Sequence, residues 1–252
     1  CAFVVGPAFT LLPLREYLLH GETWTFLGNA VFLPVGYELP GVFKNQPDHA
    51  VNGSLWSLKF ELACYVFVPL ALAMRRWQKP AVIAAWLASF GLARAIPADA
   101  GGLAFYIGTL AQLFRFFGAG MLLYLLADRV PLRQGGAWAG LAAVILAGFT
   151  PLFMEVTATA GAYALVVFAH HCGSGFRRIA ARGDISYGVY VYAFPIQQAL
   201  VPASLGFALP WLANATLALP LAALAGLCSW RLIERPALHY RRLTTAAARM
   251  QP

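Results

Sequence analysis

Residues 103–126 read LAFYIGTLAQLFRFFGAGMLLYLL, an unbroken apolar run whose one charge is Arg115. A helix of this length, rising ~1.5 Å per residue, crosses the ~30 Å hydrocarbon layer of a bilayer. Comparable blocks recur at 54–74, 80–97, 136–152, 157–171, 184–204 and 208–230, with a shorter run at 1–14. Together they predict eight spans. Of the 252 residues 60% are hydrophobic and 11% charged, whereas a water-soluble domain carries about a quarter charged. The polar coat of a soluble protein is missing. Because the apolar residues run in blocks and do not alternate, a transmembrane barrel is excluded. The expected fold class is all-α, a polytopic transmembrane helical bundle. The block at 24–43 is apolar too, but Asn29, Pro34, Gly36, Glu38, Pro40 and Gly41 interrupt it, which predicts an interfacial or re-entrant segment.

The net charge of +8 would suggest nucleic acid in a soluble protein. Here the charges lie between apolar blocks, so the lipid bilayer and not a nucleic acid is the expected partner. With the 75–79 loop cytoplasmic, alternation puts 127–135, 172–183 and the tail after 230 on the same side. These four connections hold 13 of the 18 basic residues, among them Arg177, Arg178, Arg182, Arg241, Arg242 and Arg249. The opposite connections, 98–102, 153–156 and 205–207, hold none. This is the positive-inside pattern, and it makes 15–53, with Glu16, Glu22, Glu38 and Asp48, external. Cys1, Cys64, Cys172 and Cys228 are scattered and support neither a disulfide framework nor a zinc site. The chain opens at Cys1 within an apolar run, and the expectation is an N-terminally incomplete protein.

Four ionisable residues fall inside or at the edge of spans: Lys59, Glu61, Arg94 and Arg115. Such residues mark partners or functional sites. Arg94, one turn from a span end, is expected to snorkel outward. Arg115 sits mid-span, where it either pairs with an acid to hold two helices together or binds an anionic substrate. Asn52-Gly53-Ser54-Leu55-Trp56-Ser57-Leu58-Lys59-Phe60-Glu61 opens the 54–74 span. Helical spacing puts Ser54, Ser57, Glu61 and Tyr65 on one polar stripe that turns away from lipid. Glu61, ~10 Å below the outer end, is a candidate general acid/base; the structural alternative is a pair with Arg115 or Lys59. In Asp184-Ile185-Ser186-Tyr187-Gly188-Val189-Tyr190-Val191-Tyr192-Ala193-Phe194-Pro195, Ser186, Tyr190, Ala193 and Gln197 share a face and Asp184 is an N-cap candidate. Tyr187 reads equally as an interfacial aromatic. His170 and His171 lack further ligands at metal spacing, so no metal is expected.

Asn52-Gly53-Ser54-Leu55-Trp56-Ser57-Leu58 with Glu61, Ile185-Ser186-Tyr187-Gly188-Val189-Tyr190 before Pro195, and Glu234-Arg235-Pro236 resemble, in order, the landmarks of the acyltransferase 3 family. Leu39-Pro40-Gly41-Val42-Phe43 resembles one bacterial branch of it. The resemblance covers nearly the whole chain, giving a transmembrane domain at 1–233 and a basic cytoplasmic tail at 234–252. It implies ten spans with both ends cytoplasmic, in the bacterial inner membrane. It also implies transfer of an acyl group, often acetyl, from cytoplasmic acyl-CoA to a sugar hydroxyl of a surface polysaccharide, lipopolysaccharide or glycolipid. Acyl-CoA, here acetyl-CoA, is the donor substrate and not a bound cofactor. On this resemblance Glu61 is catalytic, and Asn52, Ser54, Trp56, Ser57, Arg115, Ser186, Tyr187 and Tyr190 bind substrate. The first two spans and part of the third, with the family's arginine and histidine base, are expected upstream of Cys1, so the chain alone is expected to be inactive. Ala193 stands where many members carry a histidine. His20, His49, His170, His171 and His239 are poorly placed to replace that base. The rival readings are a transporter or flippase for a glycan or lipid-linked substrate, and a partner helix bundle without activity.

Overall fold

The computed structural model describes residues 1–31, 36–97, 99–173 and 183–238. Arg177, Arg178 and Arg182 of the basic loop, His239, Arg241, Arg242 and Arg249 of the tail, and Pro34 of the interrupted block lie outside the described residues. The fold is helical throughout, and among the described residues the one β pairing is an isolated bridge between Thr10 and Val42. Four helices are long and apolar enough to cross a membrane: Gly53–Ala73, Gly102–Leu125, Phe153–His170 and Pro210–Leu238.

The other predicted spans fall short of that standard, each for its own reason. The run at 1–14 is broken into a five-residue helix, α1 (Val5–Phe9), and an extended stretch through Thr10 and Pro13. The helix α5 (Gln78–Ala95) begins with Gln78 and Lys79 and ends with Arg94, which dilute its apolar character. The helix α7 (Gln134–Ala147) has only 14 residues. The helix α9 (Ser186–Ser204) carries Pro195 and Pro202 among serine, tyrosine and glutamine. The remaining helices are α2 (Leu14–Leu19), α3 (Gly21–Thr25), α4 (Leu58–Ala73), α6 (Gly102–Leu125), α8 (Phe153–His170) and α10 (Pro210–Leu238). The last of these runs into the stretch read as tail.

The chain divides into two compact units, Cys1–Leu58 with Arg178–Pro252, and Lys59–Arg177. The first has a core of Ala2, Tyr17, Phe26, Leu39, Val42, Phe43 and Val51. The Leu39-Pro40-Gly41-Val42-Phe43 stretch, part of the interrupted block, gives Leu39, Val42 and Phe43 to this core. A turn at Gly41, with φ +71°, brings Val42 back against Thr10. A side chain at Gly41 would sit 2.8 Å from the Thr10 hydroxyl, which donates to the Pro40 carbonyl at 2.8 Å. In the same unit α9 and α10 pack backbone to backbone: a Cβ on Gly188 would lie 2.7 Å from Gly226 Cα. Small residues permit this approach, which is how helices gain van der Waals contact when no hydrophobic effect drives them together.

In the second unit α5 packs on α6, with Trp86 donating its indole N–H to the Arg115 carbonyl at 2.9 Å. The α7–α8 pair closes at Gly140, where a Cβ would meet the Ala160 carbonyl at 2.8 Å. Tyr163 fastens the loop before α7 by donating to the Pro131 carbonyl at 2.7 Å.

Gly188→Ala is expected to cost about 1–3 kcal/mol, the usual penalty of overpacking, because its neighbour is backbone and cannot rotate away. Gly206→Ala, where nothing lies within 4 Å, is the comparison. Thermal unfolding in detergent should show a lower midpoint for the first variant and little change for the second.

Candidate functional site

Proline has no N–H, so each proline within α9 frees the carbonyl four residues before it. Pro195 frees Val191 and Pro202 frees Gln198. Both carbonyls are taken by side chains from the 46–52 segment. Asn52 Nδ2 donates to Val191 O at 3.1 Å, and Gln46 Nε2 donates to Gln198 O at 3.0 Å. Asn52 is 2% exposed, and its Oδ1 accepts the Ser54 N–H at 3.1 Å, which caps the 3₁₀ turn Gly53–Trp56. One buried amide therefore satisfies the start of one helix and the break in another.

The contact continues through the next residues of both motifs. A Cβ on Gly53 would lie 2.7 Å from the Phe194 ring. The Tyr190 hydroxyl donates to the Ser54 carbonyl at 2.6 Å, so its 2.6 Å contact with Ser57 Oγ is one it accepts. This orders a relay from the Ser57 hydroxyl, 7% exposed, to Tyr190 and on to Ser54. Asn52, Ser54, Ser57 and Tyr190 are thus brought together across more than 130 residues of sequence. Because it ends on a main-chain carbonyl, the relay fixes the direction of the Ser57 hydroxyl, which can orient a bound hydroxyl.

The other predicted residues are placed differently. Trp56 is 45% and Tyr187 55% exposed. Ser186 donates both its N–H, at 2.9 Å, and its hydroxyl, at 2.5 Å, to Asp184 Oδ1. These bonds hold the Asp184 carboxyl below the usual aspartate range. The residue flanking α9 is Ile185, so Asp184 caps from one position further out than a standard N-cap. Along the stripe Ser54, Ser57, Glu61, Tyr65, Ser57 is buried and Tyr65 is 59% exposed. In the opening 3₁₀ turn, with 3.0 residues per turn, positions three apart eclipse, which keeps Ser54 and Ser57 on one side. Glu61 lies in the first turn of α4, half-buried, in the second unit.

Arg115, also in the second unit, is paired with an acid on another helix, one of the two alternatives its mid-span position offered, and that acid is Glu155. Its Nη1 is 3.6 Å from Glu155 Oε1, its side chain is 6% exposed, and its Cζ lies 5.8 Å from the Phe90 ring centroid. Arg94 does not merely snorkel: its Nε donates to the same Glu155 Oε1 at 3.1 Å. Two guanidinium groups thus share one carboxylate, whose other oxygen is buried and accepts nothing among the described residues. Glu155 is followed at once by a π-helical turn, Thr157–Gly161, a local feature frequent at functional sites. Lys59 rests over the Tyr106 ring at 4.7 Å. No three His, Cys, Asp or Glu side chains gather at metal-holding distance among the described residues. Sequence reasoning missed Glu155, Gln46 and Gln198; for the latter two the signal was the pair of prolines in α9, which announces two carbonyls in need of donors.

A model of the acyltransferase domain matches residues 6–233, and the chain belongs to the acyltransferase 3 family. It is 31% identical over 193 residues to an O-acetyl transferase of Shigella phage Sf6, covering 73% of this chain and 56% of that protein. It is 28% identical over 213 residues to nodulation protein 10 of Rhizobium leguminosarum bv. viciae, covering 75% and 56%. The chain therefore spans about half the length of these relatives. No solved structure matches it. The match places the chain within an acyltransferase domain family, and four of its helices are long and apolar enough to cross a membrane.

Asn52→Ala is expected to lose about 1–3 kcal/mol by leaving the Val191 carbonyl bare. In a Pro195→Ala background the loss should shrink, because residue 195 then supplies the missing amide; a double-mutant cycle by thermal unfolding reads the coupling. Asp184 gives a pH test. Its folded pKa is depressed, so its stabilisation is present above the unfolded aspartate value and is lost as pH falls through the folded one. The group is exposed and solvent-screened, so the contribution is small; Asp184→Asn should flatten that part of the acid limb of the stability profile.

Proposed function

We propose that this chain is the core of a membrane O-acyltransferase that moves an acetyl or related acyl group from cytoplasmic acyl-CoA to a sugar hydroxyl of a surface polysaccharide or glycolipid, in the bacterial inner membrane. The observation that carries the reading is the family match over residues 6–233, supported by a relative named as an O-acetyl transferase. The positive-inside pattern supports eight spans within this chain and puts the tail on the donor's side.

The chemistry has three requirements. A base removes the proton of the sugar hydroxyl, whose oxygen attacks the thioester carbonyl. Hydrogen-bond donors or a cation hold the tetrahedral oxyanion. Collapse then breaks the carbon–sulfur bond, the CoA thiolate leaves and takes up a proton, and the sugar ester remains. Glu61 takes or relays the proton in this scheme. The Ser57–Tyr190 relay orients a hydroxyl, and Asn52 holds the relay in register. Arg115 and Arg94, with one carboxylate between them, leave one positive charge over in the membrane domain to attract an anionic donor. Ser186, with its hydroxyl committed to Asp184, serves position more than substrate.

The reading is tested with Glu61→Gln in the full-length protein, which keeps shape and removes the charge. Transfer of labelled acetyl from acetyl-CoA to glycan in membrane vesicles should fall by roughly 100-fold or more, the usual scale for removing an acid/base group, with near-normal protein in the membrane. Transfer at the wild-type rate would reduce Glu61 to a structural residue.

A further inference from the structure

A cavity of about 250 Å³ opens in the first unit beside the second half of α9, lined by Asp48, Phe194, Gln197, Gln198, Val201 and Asn214. We propose that it is a binding subsite for one neutral sugar ring, the acceptor end of the transfer described above, on which reading the inference rests.

The polar lining is rich in acceptors with capacity to spare. Gln198 is 7% exposed, and its Nε2 donates to the carbonyls of Asp48 at 3.0 Å and Ala50 at 2.9 Å. Both amide hydrogens are committed, and among the described residues nothing donates to its Oε1. Asn214 spends Nδ2 on the Gln197 carbonyl at 2.9 Å, which leaves its Oδ1 as an acceptor. Asp48 Oδ1 takes the Ala50 N–H at 2.9 Å, and its second oxygen remains. The Gln197 side chain, exposed and free of hydrogen bonds to described residues, offers donors as well as an acceptor. Such a set calls for a ligand that brings several hydrogen-bond donors.

The chemistry narrows the ligand further. An anion finds no cation in the lining and meets the Asp48 carboxylate. A divalent ion of the calcium or magnesium type wants a near-complete oxygen shell, commonly with several carboxylates, and this cavity has one. A sugar ring supplies hydroxyl donors around its edge and apolar C–H faces, which Phe194 and Val201 can cover. The volume lies just under the about 300–1,000 Å³ of sites for drug-sized ligands, which fits one ring and not an oligosaccharide. The site is also preorganised, which limits the ordering cost of binding: Gln198 is pinned at both amide hydrogens, and the Phe194 ring is backed by Gly53. Through Phe194 the cavity adjoins the Asn52–Tyr190 contact. Asp48 belongs to the segment read as external, the side on which a surface glycan would arrive.

The test uses the chain in lipid nanodiscs, free of sugar-based detergent, with saturation-transfer NMR and no acyl donor. The probes are methyl α-glucopyranoside, methyl α-rhamnopyranoside and, as the anionic comparison, methyl α-glucuronide. Transfer to ring protons of a neutral glycoside is expected, with binding roughly tenfold weaker in Gln197→Leu and in Asp48→Asn. Tryptophan-fluorescence melting checks that both fold; the Gln197 side chain holds nothing in place. No transfer from either neutral glycoside, transfer unchanged in both variants, or preference for the glucuronide would each overturn the proposal. Because no donor is present, this result is independent of the Glu61 test: a failed transferase reading would leave sugar binding standing, and absent binding would leave the transferase with its acceptor elsewhere.

Discussion

A proline inside a helix creates a debt of one hydrogen bond, and in a membrane protein water is not at hand to settle it. Helix α9 has two such prolines, and the carbonyls they free, at Val191 and Gln198, receive donors from Asn52 and Gln46. Everything else in the first unit's site follows from this attachment. It fixes the 3₁₀ turn at Gly53–Trp56 against α9, which sets Gly53 on Phe194 and brings Ser54 and Ser57 to the Tyr190 hydroxyl. It explains why the two sequence motifs belong together although they are far apart in the chain: they are the two sides of one contact. The asparagine is needed because it alone among small side chains offers a donor and an acceptor from one planar group, each used here.

The second unit depends on a different balance. Arg115 is nearly buried, and a lone buried guanidinium would be costly. Glu155 offsets that cost while also holding Arg94. One carboxylate between two cations leaves the group electropositive, and among the described residues nothing donates to the second, buried Glu155 oxygen. A π turn, Thr157–Gly161, follows in the same helix.

Helix content and membrane character were legible because long apolar blocks and the Lys/Arg bias are properties of composition along the chain. Asn52, Ser57 and Tyr190 were legible as a group only through the ordered motifs; periodicity within one helix cannot say which helix lies opposite. Glu155 escaped notice because the sequence pattern puts 153–156 in a connection, whereas Glu155 lies in the first turn of α8, and no spacing rule ties it to Arg94, sixty-one residues earlier. The interrupted block at 24–43 gave no sign of which residues it would pack against. Prolines and glycines that break a span also make tight turns, and Leu39, Val42 and Phe43 use one to reach the core around Tyr17.

The most direct test of the account is the distance between the Asn52 side-chain nitrogen and the Val191 carbonyl carbon, measured by dipolar-recoupling solid-state NMR on protein labelled with ¹⁵N at Asn52 Nδ2 and ¹³C at the Val191 carbonyl, in lipid. A hydrogen bond of the observed length puts these nuclei ~4 Å apart, giving a clear coupling that disappears on breaking the contact. Absence of any coupling above the natural-abundance background in the folded protein would contradict the account, because Val191 would then have some other donor and the two motifs would not be joined by Asn52.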